Sequence, residues 1–280
     1  MTSNLKWILV TGCSTGIGRA LVPELRKRGF SVVATARRPE TLVDLPAGDD
    51  LRILALDVTD AASIAAAEEA CRGLRLIGLV NNAGYGQVGP LELLRPEELR
   101  AQFETNVIGL HAVTLAFLPL IRAHAAKGEG RIVQVASVLG RMSIPLAGAY
   151  NASKHAVVAL AESLRLEIGQ EIPVILVEPG AIKTSFRDTL LKVWGDLPTR
   201  AEGTPYERIL HKHMNAREAM GERWAMDAGR CAAKIAKAIA KKHPPRRLVI
   251  GKDAFWATKG KALLPAWLWE RMLRRGYGLR

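Results

Sequence analysis

In the stretch AYNASKHAV, residues 149–157, Tyr150 and Lys154 stand four positions apart. Positions i and i+4 of a helix share a face, so a phenol and an ammonium would lie one turn from each other. An unperturbed tyrosine titrates near about 10 and is a poor proton shuttle at neutral pH. A neighbouring ammonium favours the phenolate and brings that value down. The same spacing also occurs on solvated helix edges, so the pair gains meaning only from what accompanies it. Ala152 and Ser153 read as spacers between the two.

A second chemical signal lies near the N-terminus, in VTGCSTGIGRAL. Gly12, Gly16 and Gly18 follow an apolar run and open a helical pattern, with Ser14, Thr15 and Ile17 between them. Glycines there allow a tight turn and close approach of backbone to a pyrophosphate, and the helix N-terminus offers free N–H groups and positive dipole. A glycine-rich turn alone is a weak signal, but between a strand and a helix it predicts a dinucleotide site. The next apolar run ends in ATARRPE. Ala36 stands where an acid would hold a ribose 2′-hydroxyl, and Arg37 and Arg38 follow. Guanidinium groups suit a 2′-phosphate, so the expected cofactor is NADP(H) over NAD(H).

The elements that must carry these groups are legible as alternation. Short, β-branched apolar runs at 7–10, 30–36, 51–58, 76–82, 131–137, 173–179 and 246–251 read as buried parallel strands. Helical patterns at 17–28, 60–72, 97–125, 151–168 and 227–241 fall between or after them. This predicts an α/β fold: a doubly wound Rossmann-type parallel sheet of about seven strands with helices on both faces. Residues 1–252 read as one catalytic domain, with 183–225 as a substrate loop or lid inside it. Residues 253–280 form a basic, Trp- and Arg-rich extension.

Composition narrows the classes. Hydrophobic residues make up 49% of the 280, which excludes disorder. The net charge of +13 lies in the last hundred residues: positions 1–180 hold 18 basic and 18 acidic residues, positions 181–280 hold 22 and 9. No nucleic-acid motif accompanies that charge, so no nucleic-acid partner is expected. Cys13, Cys71 and Cys231 are widely spaced and read as reduced thiols of a cytoplasmic protein, with no metal site; Cys13 alone is a candidate for sensitivity to thiol reagents. The N-terminus lacks a signal-peptide pattern, and no apolar run is expected to reach the length of a membrane span. Trp267 and Trp269 mixed with Arg271, Arg274, Arg275 and Arg280 are compatible with peripheral contact at a membrane surface, with capping of a pocket, or with subunit packing. His155 points about 100° from Lys154 and reads as packing or surface. His211 and His213 in HKH read as a solvated loop.

TGCSTGIG, the NNAG of residues 81–84, Ser137 and Tyr150-x-x-x-Lys154 together resemble the short-chain dehydrogenase/reductase family. The correspondence runs in order from residue 7 to about 184, and SVLGRMSIPLAGAYNASK resembles its 17β-hydroxysteroid dehydrogenase-like branch. The resemblance implies a catalytic tetrad of Asn106, Ser137, Tyr150 and Lys154. Ser137 would donate to the substrate oxygen, Lys154 would also bind the nicotinamide ribose, and Asn106 would hold a water in a proton relay. It further implies that Asp57 and Val58 contact the adenine, and that Asn82, Ala83 and Gly84 line the cleft. Pro179, Gly180, Ile182 and Thr184 would hold the nicotinamide and pyrophosphate. Thr15 stands where some NADP-preferring members carry a basic residue, which leaves the phosphate to Arg37, Arg38 and Ser14.

Leu139, Met142, Ile144 and Pro145 on one side, and Phe186, Leu190, Leu191, Val193 and Trp194 on the other, predict an apolar pocket for a lipophilic ketone or secondary alcohol. The expected protein is an oxidoreductase acting on CH–OH groups, cytoplasmic or peripheral to a membrane, and a homo-oligomer. The rival expectation is a non-catalytic dinucleotide sensor on the same fold.

Overall fold

A computed structural model describes residues 5–126, 128–184, 193–210 and 225–279. Seven strands form one sheet: β1 (Trp7–Val10), β2 (Ser31–Ala36), β3 (Leu51–Ala55), β4 (Leu76–Asn81), β5 (Arg131–Val135), β6 (Val174–Pro179) and, after a short interlude, β9 (Arg247–Ile250). Their order is β3-β2-β1-β4-β5-β6-β9, and every pairing is parallel. The interlude holds β7 (Ile182–Lys183) and β8 (Met226–Asp227), which pair with each other.

Both faces are covered, which parallel strands require. Alternation along each strand sorts its side chains: Ile8, Val10, Val32, Ala34, Val133, Val135, Ile175 and Val177 join one core, whereas Trp7, Leu9, Val33, Leu79, Ile132 and Val174 join the other. The first core is sealed by α1 (Gly16–Arg26), through Leu21, Val22 and Leu25, and by α7 (Ala228–Ile239), through Cys231, Ile235 and Ile239. The second is sealed by α2 (Ala61–Cys71) and α4 (Leu110–His124), with Ile64, Val113, Phe117 and Ile121 inward. Helix α5 (Gly148–Ile168) covers the same side near β5 and β6, through Val157 and Ala161.

The predicted helix 97–125 is three pieces: α3 (Pro96–Phe103), a π-helical turn (Glu104–Gly109) and α4. Contrary to the expectation from the sequence, Pro96–His124 is long and apolar enough to cross a membrane by composition. Its α4 segment instead spends Val113, Phe117 and Ile121 on the sheet. Beyond β6, α6 (Leu197–Ala201) is fastened by Arg200 to Glu98 of α3 at 2.5 Å. The C-terminal extension folds as a helical pair, α8 (Lys252–Leu263) and α9 (Ala266–Tyr277), turned at Leu264–Pro265.

Strand order reverses between β1 and β4, which leaves a crevice outside their carboxyl ends where such sheets take ligands.

Candidate active site

The crevice is built largely of backbone on one side. Gly12 and Gly16 adopt φ of +71° and +62°, and a Cβ on Gly12 would lie 2.8 Å from Ala83 Cα. Gly18 permits the helix to close on the loop, since a Cβ there would meet Asn82 Nδ2 at 2.5 Å and overlap the Gly12 carbonyl. Asn82 ties the loop down, donating to the carbonyls of Thr11 (2.9 Å) and Gly12 (3.1 Å). Thr11, which the sequence reading passed over, accepts at Oγ1 from the N–H groups of Asn82 and Ala83, both at 2.9 Å.

The start of α1 fits a phosphate. Helices α2 and α7 are capped by their own Asp60 and Asp227, whereas Thr15 makes no capping hydrogen bond for α1. The first N–H groups of α1 are therefore not taken up by the Thr15 side chain, as an anion site requires. Thr184 closes over this point: a Cβ on Gly16 would touch its Cγ2 at 3.1 Å. Arg37 and Arg38 are exposed at the end of β2, and among the described residues neither pairs with a carboxylate. Asp57 follows β3, its Oδ1 accepting from Thr59 N–H at 2.9 Å, and Val58 is buried beside Gly109.

Three residues of the expected tetrad, Asn106, Tyr150 and Lys154, are linked around the start of α5, and Ser137 precedes a turn that packs on the Lys154 backbone. Asn106 sits in the π-helical turn, a widened geometry frequent at functional sites. Its side chain is fully engaged: Oδ1 accepts from Tyr85 N–H (3.1 Å), and Nδ2 donates to Tyr85 O (2.9 Å) and Ser153 Oγ (3.1 Å). Ser153 is thus no spacer; buried, it donates to Tyr150 O at 2.9 Å and links Asn106 to the helix that carries the tyrosine. Gln102 holds the adjoining loop, donating to Tyr85 O and accepting from Gln87 N–H.

Lys154 is buried, donates to Val135 O at 2.9 Å, and lies 5.7 Å from the centroid of the Tyr150 ring. Loss of hydration with no carboxylate beside it pulls its pKa down to about 8. A Cβ on Gly84 would approach Asn106 Oδ1 at 2.9 Å and Lys154 Nζ at 3.8 Å, so the NNAG segment lies directly against both. Ser137 lies two residues beyond β5 and caps the 3₁₀ turn Val138–Gly140, accepting from Leu139 N–H at 3.1 Å. That turn docks on α5 because Gly140 lacks a side chain: a Cβ would lie 2.7 Å from Lys154 O. Leu146, two residues before α5, has φ of +61°, a strained conformation for leucine, and receives the N–H of Gly89 at 2.7 Å.

Side chains form the other wall. Leu139 and Met142 pack with Val138, Ala254, Ala257 and Trp269, so α8 and α9 abut the loop after Ser137. Ile144 and Trp194 belong to a second cluster with Val88, Leu146, Leu197 and Tyr277. Pro145 and Val193 are half-buried nearby. Phe186, Leu190, Leu191, His211 and His213 lie outside the described residues. His155 is exposed on α5. Burial pushes the Cys13 thiol up to about 12, so the expected sensitivity to thiol reagents does not fit its surroundings. Among the described residues no cluster of metal-ligating side chains occurs.

A doubly wound parallel sheet with a glycine loop and helix start at its switch point defines the dinucleotide-binding class of folds. Residues 6–192 match the family model for short chain dehydrogenases. The chain is 33% identical to the oxidoreductase YbbO of Escherichia coli over 96% of its length and 94% of that protein. It is 32% identical to retinol dehydrogenase 7 of Rattus norvegicus (97% and 88% covered), and 33% identical to 17-beta-hydroxysteroid dehydrogenase type 6 of the same organism (89% and 81%). Among solved structures, a short-chain dehydrogenase from Streptomyces avermitilis superposes with a TM-score of 0.75 at 33% identity, covering 92% of this chain and 93% of the other. One from Burkholderia phymatum, in complex with NAD, superposes at 0.77 and 26% identity, covering 94% and 96%. The chain belongs to the short-chain dehydrogenase/reductase family, and it is an oxidoreductase of the alcohol dehydrogenase type that uses a nicotinamide dinucleotide.

Proposed function

We propose that the protein reduces a lipophilic ketone to a secondary alcohol, or runs the reverse reaction, with NADP(H) as cofactor and Tyr150 as general acid–base. The observation that carries this is the buried Lys154 held 5.7 Å from the Tyr150 ring. When bound, the dinucleotide supplies or accepts the hydride. The chain supplies the proton: Tyr150 gives its phenolic hydrogen to the oxygen that becomes the alcohol, and Ser137 Oγ donates a hydrogen bond to that oxygen as charge develops. A protonated Lys154 lowers the cost of the phenolate that remains. The Asn106 side chain is already committed to Tyr85 and Ser153, so a relay water there would rest on a backbone carbonyl of the π turn. The arginines at the end of β2 support a 2′-phosphate, hence NADP(H).

The apolar wall of Leu139, Met142 and Trp269 supports a bulky substrate, and the retinol and steroid dehydrogenases among the relatives point to the same class. Replacing Tyr150 with Phe should remove about 10²-fold or more of turnover with NADPH binding retained. A bulky-ketone panel read at 340 nm checks this; retained function in the variant would favour the dinucleotide sensor instead.

Location and assembly belong to the same proposal. Phe255, Trp256, Leu263, Trp267 and Met272 are large exposed apolar residues of α8 and α9, interspersed with Lys259, Arg271, Arg274 and Arg275. On α8, Phe255, Lys259, Leu263 and Trp256 share about 100° of the helix. That mixture suits a cytoplasmic protein resting on an anionic bilayer. Co-flotation with anionic liposomes that survives Trp256→Ser with Trp267→Ser would sink this part. Exposed Ile108 and Leu115, two turns apart along the π turn and α4, support a homo-oligomer, which light scattering would count.

A further inference from the structure

We propose that Asp253, the second residue of α8, is a positioning residue for the cofactor loop, and that through it the C-terminal helical pair is part of the dinucleotide site. This rests on the reading that Pro179–Thr184 faces the nicotinamide.

The turn after β6 is held from the C-terminal side of the chain. Gly180 N–H donates to Ile250 O at 2.8 Å, at the end of β9. One residue on, Ala181 N–H donates to Asp253 Oδ2 at 2.7 Å across 72 positions of sequence. The carboxylate lies in a slot between two glycines. A Cβ on Gly180 would meet Asp253 Oδ1 at 2.5 Å and overlap Oδ2, and one on Gly251 would overlap Oδ1. Gly251 also adopts φ of +118°, which lets the chain turn from β9 straight into α8.

The carboxylate is not held by charge. Among the described residues it forms no ion pair, and its Oδ1 is buried without a hydrogen-bond partner. An acceptor left unmet costs stability, so the arrangement places Ala181 better than it stabilises the fold. The neighbouring residue points elsewhere: Ala254, fully buried, packs with Val138 and Met142 beside Ser137. One turn of α8 therefore braces the loop after β5, which carries Ser137, and the loop after β6, which carries the nicotinamide contacts. Ser137, the proposed hydrogen-bond donor to the substrate oxygen, and the hydride site are held in register by the same helix start, and a small misplacement between reacting groups costs a large factor in rate.

The test uses the full chain with Asp253→Ala, Asp253→Asn and Gly180→Ala, alone and as the pair Gly180→Ala with Asp253→Ala. NADPH binding is read by fluorescence titration, turnover by kcat, and folding by thermal melting. Asp253→Ala should weaken NADPH binding and lower kcat, each by about tenfold. Asp253→Asn keeps an acceptor for Ala181 N–H and should stay within about threefold of the wild type. Gly180→Ala should be harmful alone and nearly silent on the Asp253→Ala background, because the carboxylate it would strike is gone. A lower melting temperature for Asp253→Ala with NADPH affinity and kcat unchanged would show a merely structural anchor and overturn the proposal, as would additive effects of the pair. Wild-type protein that binds no NADPH would instead overturn the cofactor reading, since the titration does not depend on turnover.

Discussion

Where the dinucleotide would lie, the cleft is lined by peptide groups and by places where side chains are missing: Gly12, Gly16 and Gly18, the uncapped start of α1, and Gly84 against Lys154. On the proposed substrate side, the neighbouring segments pack apolar side chains: Leu139, Met142 and Trp269 in one cluster, Ile144 and Trp194 in another. Backbone geometry admits almost no substitution, so the first wall suits one rigid feature, such as the proposed pyrophosphate, whatever side chains surround it. Apolar side chains can change size without breaking the fold, so the second wall is where one member differs from another. Lys154 stands at the seam: it is bound to β5 on one side and faces the Tyr150 ring on the other.

The seam should break most visibly. Replacing Lys154 with Met is expected to cost about 10²-fold or more in kcat, yet to stabilise the fold, because a buried ammonium without a carboxylate is expensive. The sign follows from its pKa of about 8 in the folded protein, against 10.5 for a solvated lysine. The unfolded chain binds more protons between those values, so the wild type should gain stability as pH rises from about 8 to about 10.5, and below about 8 carry the full penalty, on the order of 3 kcal/mol. Melting curves of both proteins across that range check it: the difference between them should close as pH rises. Gly18→Val comes next. It should raise the NADPH Kd by about 100-fold, or about 2.7 kcal/mol, by titration, and leave ketone preference unchanged. Arg37→Asp should move the kcat/KM ratio of NADPH to NADH by about tenfold toward NADH, and an unchanged ratio would place phosphate recognition elsewhere. The smallest effect is expected from the side-chain wall: Leu139→Ala should raise KM several-fold for bulky ketones and leave small ones alone, worth about 1 kcal/mol. A uniform loss for both would erase the distinction between the walls.

How much of this was legible differs along the chain for physical reasons. Buried parallel strands are continuous apolar runs bounded by polar turns, so all seven were found to within two or three residues at their ends. Helix α5 begins at Gly148, three residues before its pattern does, because Ala147 carries no capping side chain to announce it. The π turn around Asn106 leaves no mark in composition, and neither does Ser153, whose role depends on a partner 47 positions away. The extension was seen as Trp and Arg without a shape: Gly260, Pro265 and Gly276 interrupt its periodicity, and its inward face is set by what it packs on. Long-range polar ties such as Asp253 to Ala181 belong to tertiary structure alone.

The bare start of α1 carries a thermodynamic consequence. If a dinucleotide phosphate is what its first turn receives, folding and ligand occupancy are linked equilibria. At a dinucleotide concentration 100 times its Kd, occupancy adds about 2.7 kcal/mol to the unfolding free energy. Amide hydrogens of residues 12–18 should therefore exchange far more slowly in the bound protein than in the free one. The reserve of stability would then follow the cell's dinucleotide supply, and a chain starved of cofactor would be the first to unfold.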